Sequence, residues 1–69
     1  MKSMTIGRLA AAADVGVETV RYYQRRGLLA VPAPAVGQVR HYGDTALSRL
    51  RFIRRAQQLG FSLDEIAGL

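Results

Sequence analysis

The stretch VETVRYYQRRG, Val17 to Gly27, decides how the rest of the chain is read. Val17 and Val20 fall on one side at 100° per residue, with Tyr23 at the margin of that side. Glu18, Arg21, Tyr22 and Arg25 fall on the opposite side. Gly27 is placed to end the segment as a C-terminal cap. The spacing therefore predicts a short helix over 17–26, with an apolar inner edge and a basic, aromatic outer face.

Upstream, Thr5 precedes Ile6, Leu9, Ala10 and Ala13, spaced i, i+3, i+4, i+7. That is one narrow helical stripe, and Thr5 can cap it by accepting a backbone N–H. Its lining is mostly alanine, so another helix can come close. Asp14-Val15-Gly16 breaks the pattern. Asp tolerates left-handed backbone better than most residues, and Gly16 is an acceptable N-cap. Two short helices joined by a three-residue turn make a helix-turn-helix pattern.

Downstream, Leu28 to Val31 is short and apolar, and a loop with Pro32, Pro34 and Gly37 follows. Gln38 to Tyr42 can return as a strand, so 28–43 is expected to form a small β-hairpin leaning on the helices. Gly43-Asp44 opens a third helix to about Leu59, closed by Gly60. Ala46, Leu47, Leu50, Phe52, Ile53, Ala56 and Leu59 give it a broad apolar face. Arg49 lies within that face and needs a partner or a route to water. Ser62-Leu63-Asp64-Glu65 is a capping box that starts a fourth helix. The expected fold is mainly α: a winged helix-turn-helix (5–27) with a small β-hairpin wing (28–43) and a following helix pair (44–69), in one domain over 1–69.

Composition bounds what such a domain can do. Sixty-nine residues, 49% hydrophobic and 22% charged, suit one small folded unit with a limited core. There is no cysteine, so neither a disulfide nor a thiolate metal site can staple it. The net charge of +5 favours an anionic partner. Three Arg against one Glu give residues 17–26 a charge of +2, and four Arg against one Asp give 44–60 +3. Asp64 and Glu65 give 61–69 a charge of −2. No apolar run approaches the ~20 residues that span a bilayer, and no signal-peptide pattern is present. The chain is expected to be cytoplasmic and free of membranes. His41 is the sole histidine, and the carboxylates form no spaced pair or nucleophile–base constellation, so no enzyme is expected.

Three basic groups are the candidate contacts. Arg21, Tyr22 and Arg25 can reach phosphate oxygens, and Arg can read guanine bidentately in a major groove. Arg40 and Tyr42 alternate to one side of the returning strand, placed to touch backbone beside a groove. Arg51, Arg54 and Arg55 share a face of the third helix, where like charges at i, i+3 and i+4 cost about a few tenths of a kcal/mol each. Each group also has a plainer reading, as a solvated face, a turn covering the core, or a solubilising surface.

Taken together, TIGRL (5–9), VETVRYYQRRGLL (17–29), RHYG (40–43) and RFIRRAQQLGFSLDEI (51–66) closely resemble the N-terminal domain of MerR-family transcription regulators. VETVR and AQQLGFSLDEI look most like mercury-responsive members, with copper-, lead- and zinc-responsive ones left open. The resemblance implies a homodimer that binds double-stranded promoter DNA and serves as activator or repressor, distorting the promoter so that RNA polymerase can use it. Carried over by position, Arg21 and Tyr22 match groove and phosphate contacts of the recognition helix, with Thr19 and Arg25 beside them. Arg40 and Tyr42 match the wing, and Arg54 and Arg55 fall near a second wing. It also implies that the dimerisation helix and an effector region binding a metal ion such as Hg2+ lie outside 1–69, leaving no cofactor in this piece. Asp14 and Gly16 depart from residues more usual in the family's turn, which suggests a looser turn, and His41 departs from the family's usual residue in the wing. Two other functions fit the basic face: an excisionase-like architectural DNA-binding protein, and a protein-interaction module.

Overall fold

Three of the four helices in the computed structural model end in the same way, and that shared ending sets the path of the chain. The structure describes residues 3–32 and 41–68. Helix α1 spans Ile6–Ala12, α2 Val17–Arg25, α3 Asp44–Gln58 and α4 Leu63–Ala67. Past α1, Asp14 N–H donates to Ala11 O at 3.1 Å and Val15 N–H to Ala10 O at 2.9 Å. Past α2, Gly27 N–H donates to Gln24 O at 3.0 Å and Leu28 N–H to Tyr23 O at 2.9 Å. Past α3, Gly60 N–H reaches Gln57 O and Phe61 N–H reaches Ala56 O, both at 3.0 Å. Each is a paired Schellman ending that satisfies carbonyls the helix leaves open. The motif needs a left-handed residue, and Gly27 (φ 73°), Gly60 (φ 101°) and Asp14 (φ 58°) supply it.

The starts are as local as the ends. Thr5 Oγ1 accepts the Arg8 N–H at 3.3 Å. Ser62 and Glu65 close a full capping box, with Ser62 N–H donating to Glu65 Oε1 at 2.8 Å and Glu65 N–H to Ser62 Oγ at 3.1 Å. Gly16 and Gly43 stand at the N-caps of α2 and α3 without a side-chain bond. The turn between α1 and α2 is therefore closed by main-chain hydrogen bonds, although Asp14 and Gly16 suggested a looser one.

One core joins all four helices. Leu9 of α1, Val20 of α2, Leu50 and Ile53 of α3 and Ile66 of α4 are completely buried in a single cluster. Ala10, Tyr23, Leu28, Leu29, Tyr42 and Ala56 complete it. Helix α1 packs on α2 and α3, and α3 packs on α4. Each large apolar side chain moved out of water contributes about 1.5–3 kcal/mol, so this short list carries most of the stability. Among the described residues, no helix is long and apolar enough to cross a membrane.

Four expectations are revised. Tyr23, placed at the margin of α2, is 3% exposed and belongs to the core. Phe52 and Leu59, counted in the apolar face of α3, are 41% and 66% exposed, because the neighbouring helices cover only part of that arc. Residues 28–32 form bends and coil instead of a strand, with Leu28 and Leu29 turned into the core. Tyr42 does make a β-bridge, but with Met4: Met4 N–H donates to Tyr42 O at 2.8 Å and Tyr42 N–H to Met4 O at 2.7 Å. Extended backbone at 42 is thus satisfied by the N-terminal segment. The rest of the expected hairpin, residues 33–40, lies outside the described residues.

Candidate nucleic-acid interface

Burying Val20 and Tyr23 fixes the rotation of α2, and that rotation turns Glu18, Arg21, Tyr22 and Arg25 outward. All four are exposed, while Thr19 is half-buried on the flank. The predicted basic and aromatic face is therefore present. Arg21 and Arg25, with Gln24 and Val31, also line an open hollow of about 450 Å³ at the α2 surface. Glu18 sits in the first turn of α2 and Arg25 in the last. Each opposes the helix dipole at its own end, so the charges also suit the helix that carries them.

Tyr22 stands among cations. It is 40% exposed, and the guanidinium carbons of Arg25 and Arg26 each lie 5.8 Å from its ring centre. Arg26 Nη1 donates to the Tyr22 hydroxyl at 2.9 Å. Its other terminal nitrogen, Nη2, meets Asp64 Oδ1 at 2.6 Å. The Tyr22 hydrogen bond, and then the Asp64 carboxylate, hold the Arg26 guanidinium more firmly protonated than usual. Arg26 was absent from the residues singled out in the sequence. Its i+4 spacing from Tyr22 was a usable signal, whereas Asp64, thirty-eight positions away, gave none.

Behind this face lies a layer of polar contacts. Tyr23 donates its hydroxyl hydrogen to Gln57 Oε1 on α3. Burial raises the Tyr23 pKa, against the pull of the nearby Arg54 charge, which lowers it. Gln24 Nε2 donates to the Tyr42 hydroxyl at 2.8 Å. Tyr42 was expected on the outer side of a wing strand, yet its side chain is 3% exposed. An aromatic ring gains most from leaving water, and Gln24 satisfies the one polar atom it carries inward. Tyr42 thus supports α2 from behind.

The remaining candidates separate. Arg55 is exposed and Arg54 half-buried on α3. Arg51, grouped with them by spacing, has Nη2 at 3.4 Å from the Ala12 carbonyl, so it serves the end of α1. Arg40 lies outside the described residues. His41 is exposed, at the edge of a second cavity of about 420 Å³ lined mainly by Leu28, Leu29, Pro32, Tyr42 and Ala46. Among the described residues, no group of three or more His, Cys, Asp or Glu side chains could hold a metal ion.

A short helix pair joined by a four-residue turn, residues 13–16, its second member presenting arginines and a tyrosine, defines a DNA-binding helix-turn-helix domain. Residues 4–69 match the model of the MerR HTH family of regulatory proteins. The chain belongs to that family and carries its DNA-binding domain. It is 54% identical over all 69 residues to the mercuric resistance operon regulatory protein of Pseudomonas fluorescens, covering 48% of that protein. The solved structure of the transcription regulator PbrR691 from Ralstonia metallidurans CH34, in complex with lead(II), superposes with a TM-score of 0.86 at 46% identity. That match covers 94% of this chain and 51% of PbrR691. HiNmlR, a MerR family regulator lacking the sensor domain and bound to promoter DNA, superposes with a TM-score of 0.81 at 25% identity, covering 94% of this chain and 52% of HiNmlR. The chain spans about half the length of the relatives it matches. Those relatives are regulators, not enzymes.

Proposed function

We propose that this domain binds double-stranded promoter DNA in a sequence-selective way by placing α2 in the major groove. The observation that carries the reading is the outward face of Arg21, Tyr22 and Arg25 on a helix fixed in rotation by Val20 and Tyr23. Arginines at that face can pair bidentately with guanine or hold phosphates. Thr19, on the flank of α2, is close to the same groove wall. Arg54 and Arg55 of α3 meet backbone phosphate beside the site, and Arg40 is a further candidate for phosphate contact. Tyr42 contributes by holding Gln24 from behind and by bridging to Met4.

The family membership supports a wider setting. The whole protein acts in the cytoplasm as a homodimer, represses or activates a promoter by distorting it for RNA polymerase, and responds to a metal ion such as Hg2+ bound outside this domain. The names of the mercuric resistance relatives favour that ion. HiNmlR lacks a sensor domain and is bound to promoter DNA, which favours DNA binding through the domain that this chain shares with it.

The test is a fluorescence-anisotropy titration of the 69-residue chain against a duplex selected in vitro from a randomised pool and against its scrambled counterpart. Preference for the selected duplex, weakened by Arg21→Ala, supports the reading. Equal binding to both duplexes, unchanged by Arg21→Ala, refutes sequence reading.

A further inference from the structure

Arg26, the C-cap of α2, is an exposed cation already engaged within the domain. One terminal nitrogen is engaged by Tyr22 at 2.9 Å and the other by Asp64 at 2.6 Å. Its side chain is 38% exposed, and that of Asp64 90%. Two of the five N–H donors of this guanidinium are thus engaged within the domain and its charge is matched by Asp64, which leaves it less available to a phosphate than an unpaired arginine.

What it does to Tyr22 is more specific. A phenol has one O–H to donate and lone pairs to accept. Arg26 Nη1 fills a lone pair of the Tyr22 oxygen. The hydroxyl hydrogen is thereby left to donate, and a cationic N–H on the oxygen strengthens that donor by polarising the bond. The residue is part-exposed on the same helix face as Arg21 and Arg25. An acceptor-only anion is the natural partner for such a donor.

We infer that Arg26 is a positioning residue, held by Asp64, that orients the Tyr22 hydroxyl as a hydrogen-bond donor to a phosphodiester oxygen of the bound duplex. This rests on the DNA-binding reading above. Asp64, at the start of α4, sets the angle of Arg26, and α4 thereby takes part in shaping the recognition face. The Asp64 carboxylate thereby helps binding in spite of its negative charge.

The test uses the whole 69-residue chain with Tyr22→Phe, Arg26→Met, Arg26→Lys, Asp64→Asn and the Tyr22→Phe/Asp64→Asn pair, titrated against the selected duplex over a range of salt. Tyr22→Phe and Arg26→Met each weaken binding about threefold to tenfold, the range expected for one hydrogen bond. Asp64→Asn weakens binding in the wild-type background and has no further effect in Tyr22→Phe. The salt dependence of Tyr22→Phe and Asp64→Asn stays parallel to wild type, because neither removes a phosphate-neutralising cation. Arg26→Lys, which keeps a donor, recovers part of the loss. Tighter binding by Asp64→Asn overturns the inference, since Asp64 would then compete with phosphate for Arg26. An equal Asp64→Asn effect in both backgrounds overturns it as well. If the wild-type chain itself fails to bind the duplex, the functional reading falls and this inference with it. If wild type binds and Arg21→Ala weakens it, only the inference is at stake.

Discussion

Arg49 Nε donates to the main-chain carbonyl of Leu28 at 2.9 Å, and its guanidinium carbon lies 5.3 Å from the centre of the Phe52 ring. The arginine in the apolar arc of α3 thus ties that helix to the segment leaving α2. Leu28 is itself buried, so its carbonyl has limited access to water. Arg49→Met keeps the stem and leaves the carbonyl unpaired, which should cost about 1–3 kcal/mol. For a domain of this size each kcal/mol lowers Tm by about 4–8 °C. Thermal unfolding followed by circular dichroism checks this. A variant melting with wild type would mean that solvent serves Leu28 equally well.

Asp14 holds a left-handed backbone, φ 58°, at the end of α1. A β-branched residue there should be strained, and Asp14→Ile is expected to destabilise the fold by about 1–2 kcal/mol. Asp14→Gly should match or exceed wild type, since glycine meets no such penalty. Urea midpoints of the three proteins distinguish the outcomes. Equal midpoints for Ile and Gly would show that the turn relaxes freely.

How much of this could be read from the sequence depended on how local the physics was. Thr5, Gly27, Gly60 and the Ser62–Glu65 box act within one turn of their helices, and each stands where the residues predicted. Tyr23 and Tyr42 were misplaced because an aromatic side chain with a hydroxyl suits either a surface or a core. What decides is a distant acceptor or donor, Gln57 for one and Gln24 for the other. Phe52 and Leu59 continue the apolar period of α3, but period alone does not reveal which turns a neighbour covers. The outer face of α2 was legible because Val20 and Tyr23 fix its rotation. The Arg26–Asp64 pair was not, since it joins helices far apart in the chain.

Glu65 gives a pH dependence with a defined sign. The Ser62 backbone N–H, and next the Ser62 side-chain bond, hold its carboxyl below the usual glutamate range. The unfolded chain therefore takes up the proton first on acidification. The stabilisation is present above the ordinary glutamate value, about 4.3, and is lost as pH falls through the depressed folded value. Glu65→Gln, which can still accept from Ser62 N–H, should lose less stability between neutral and acid pH than wild type. Urea unfolding at several pH values measures the difference. Parallel curves would contradict this role for Glu65.

Arg25 and Arg21 should contribute differently from the residues behind them. Arg25→Ala should weaken binding to every duplex, and if its contact is to phosphate it should reduce the salt slope by about one unit. Gln57→Ala, which removes the Tyr23 partner, should lower Tm while leaving the salt slope unchanged. Binding isotherms over a salt series, set beside melting curves, separate the two. A salt slope unaltered by Arg25→Ala would mean that this arginine neutralises no phosphate.

The most direct test is a competition titration in which the selected and scrambled duplexes contend for wild-type chain and for Arg21→Ala at fixed salt. If the α2 face reads sequence, wild type favours the selected duplex, and Arg21→Ala loses about 1–3 kcal/mol of that preference while keeping the wild-type Tm. Undiminished preference in Arg21→Ala, or none in wild type, would contradict the placement of α2 as the recognition helix.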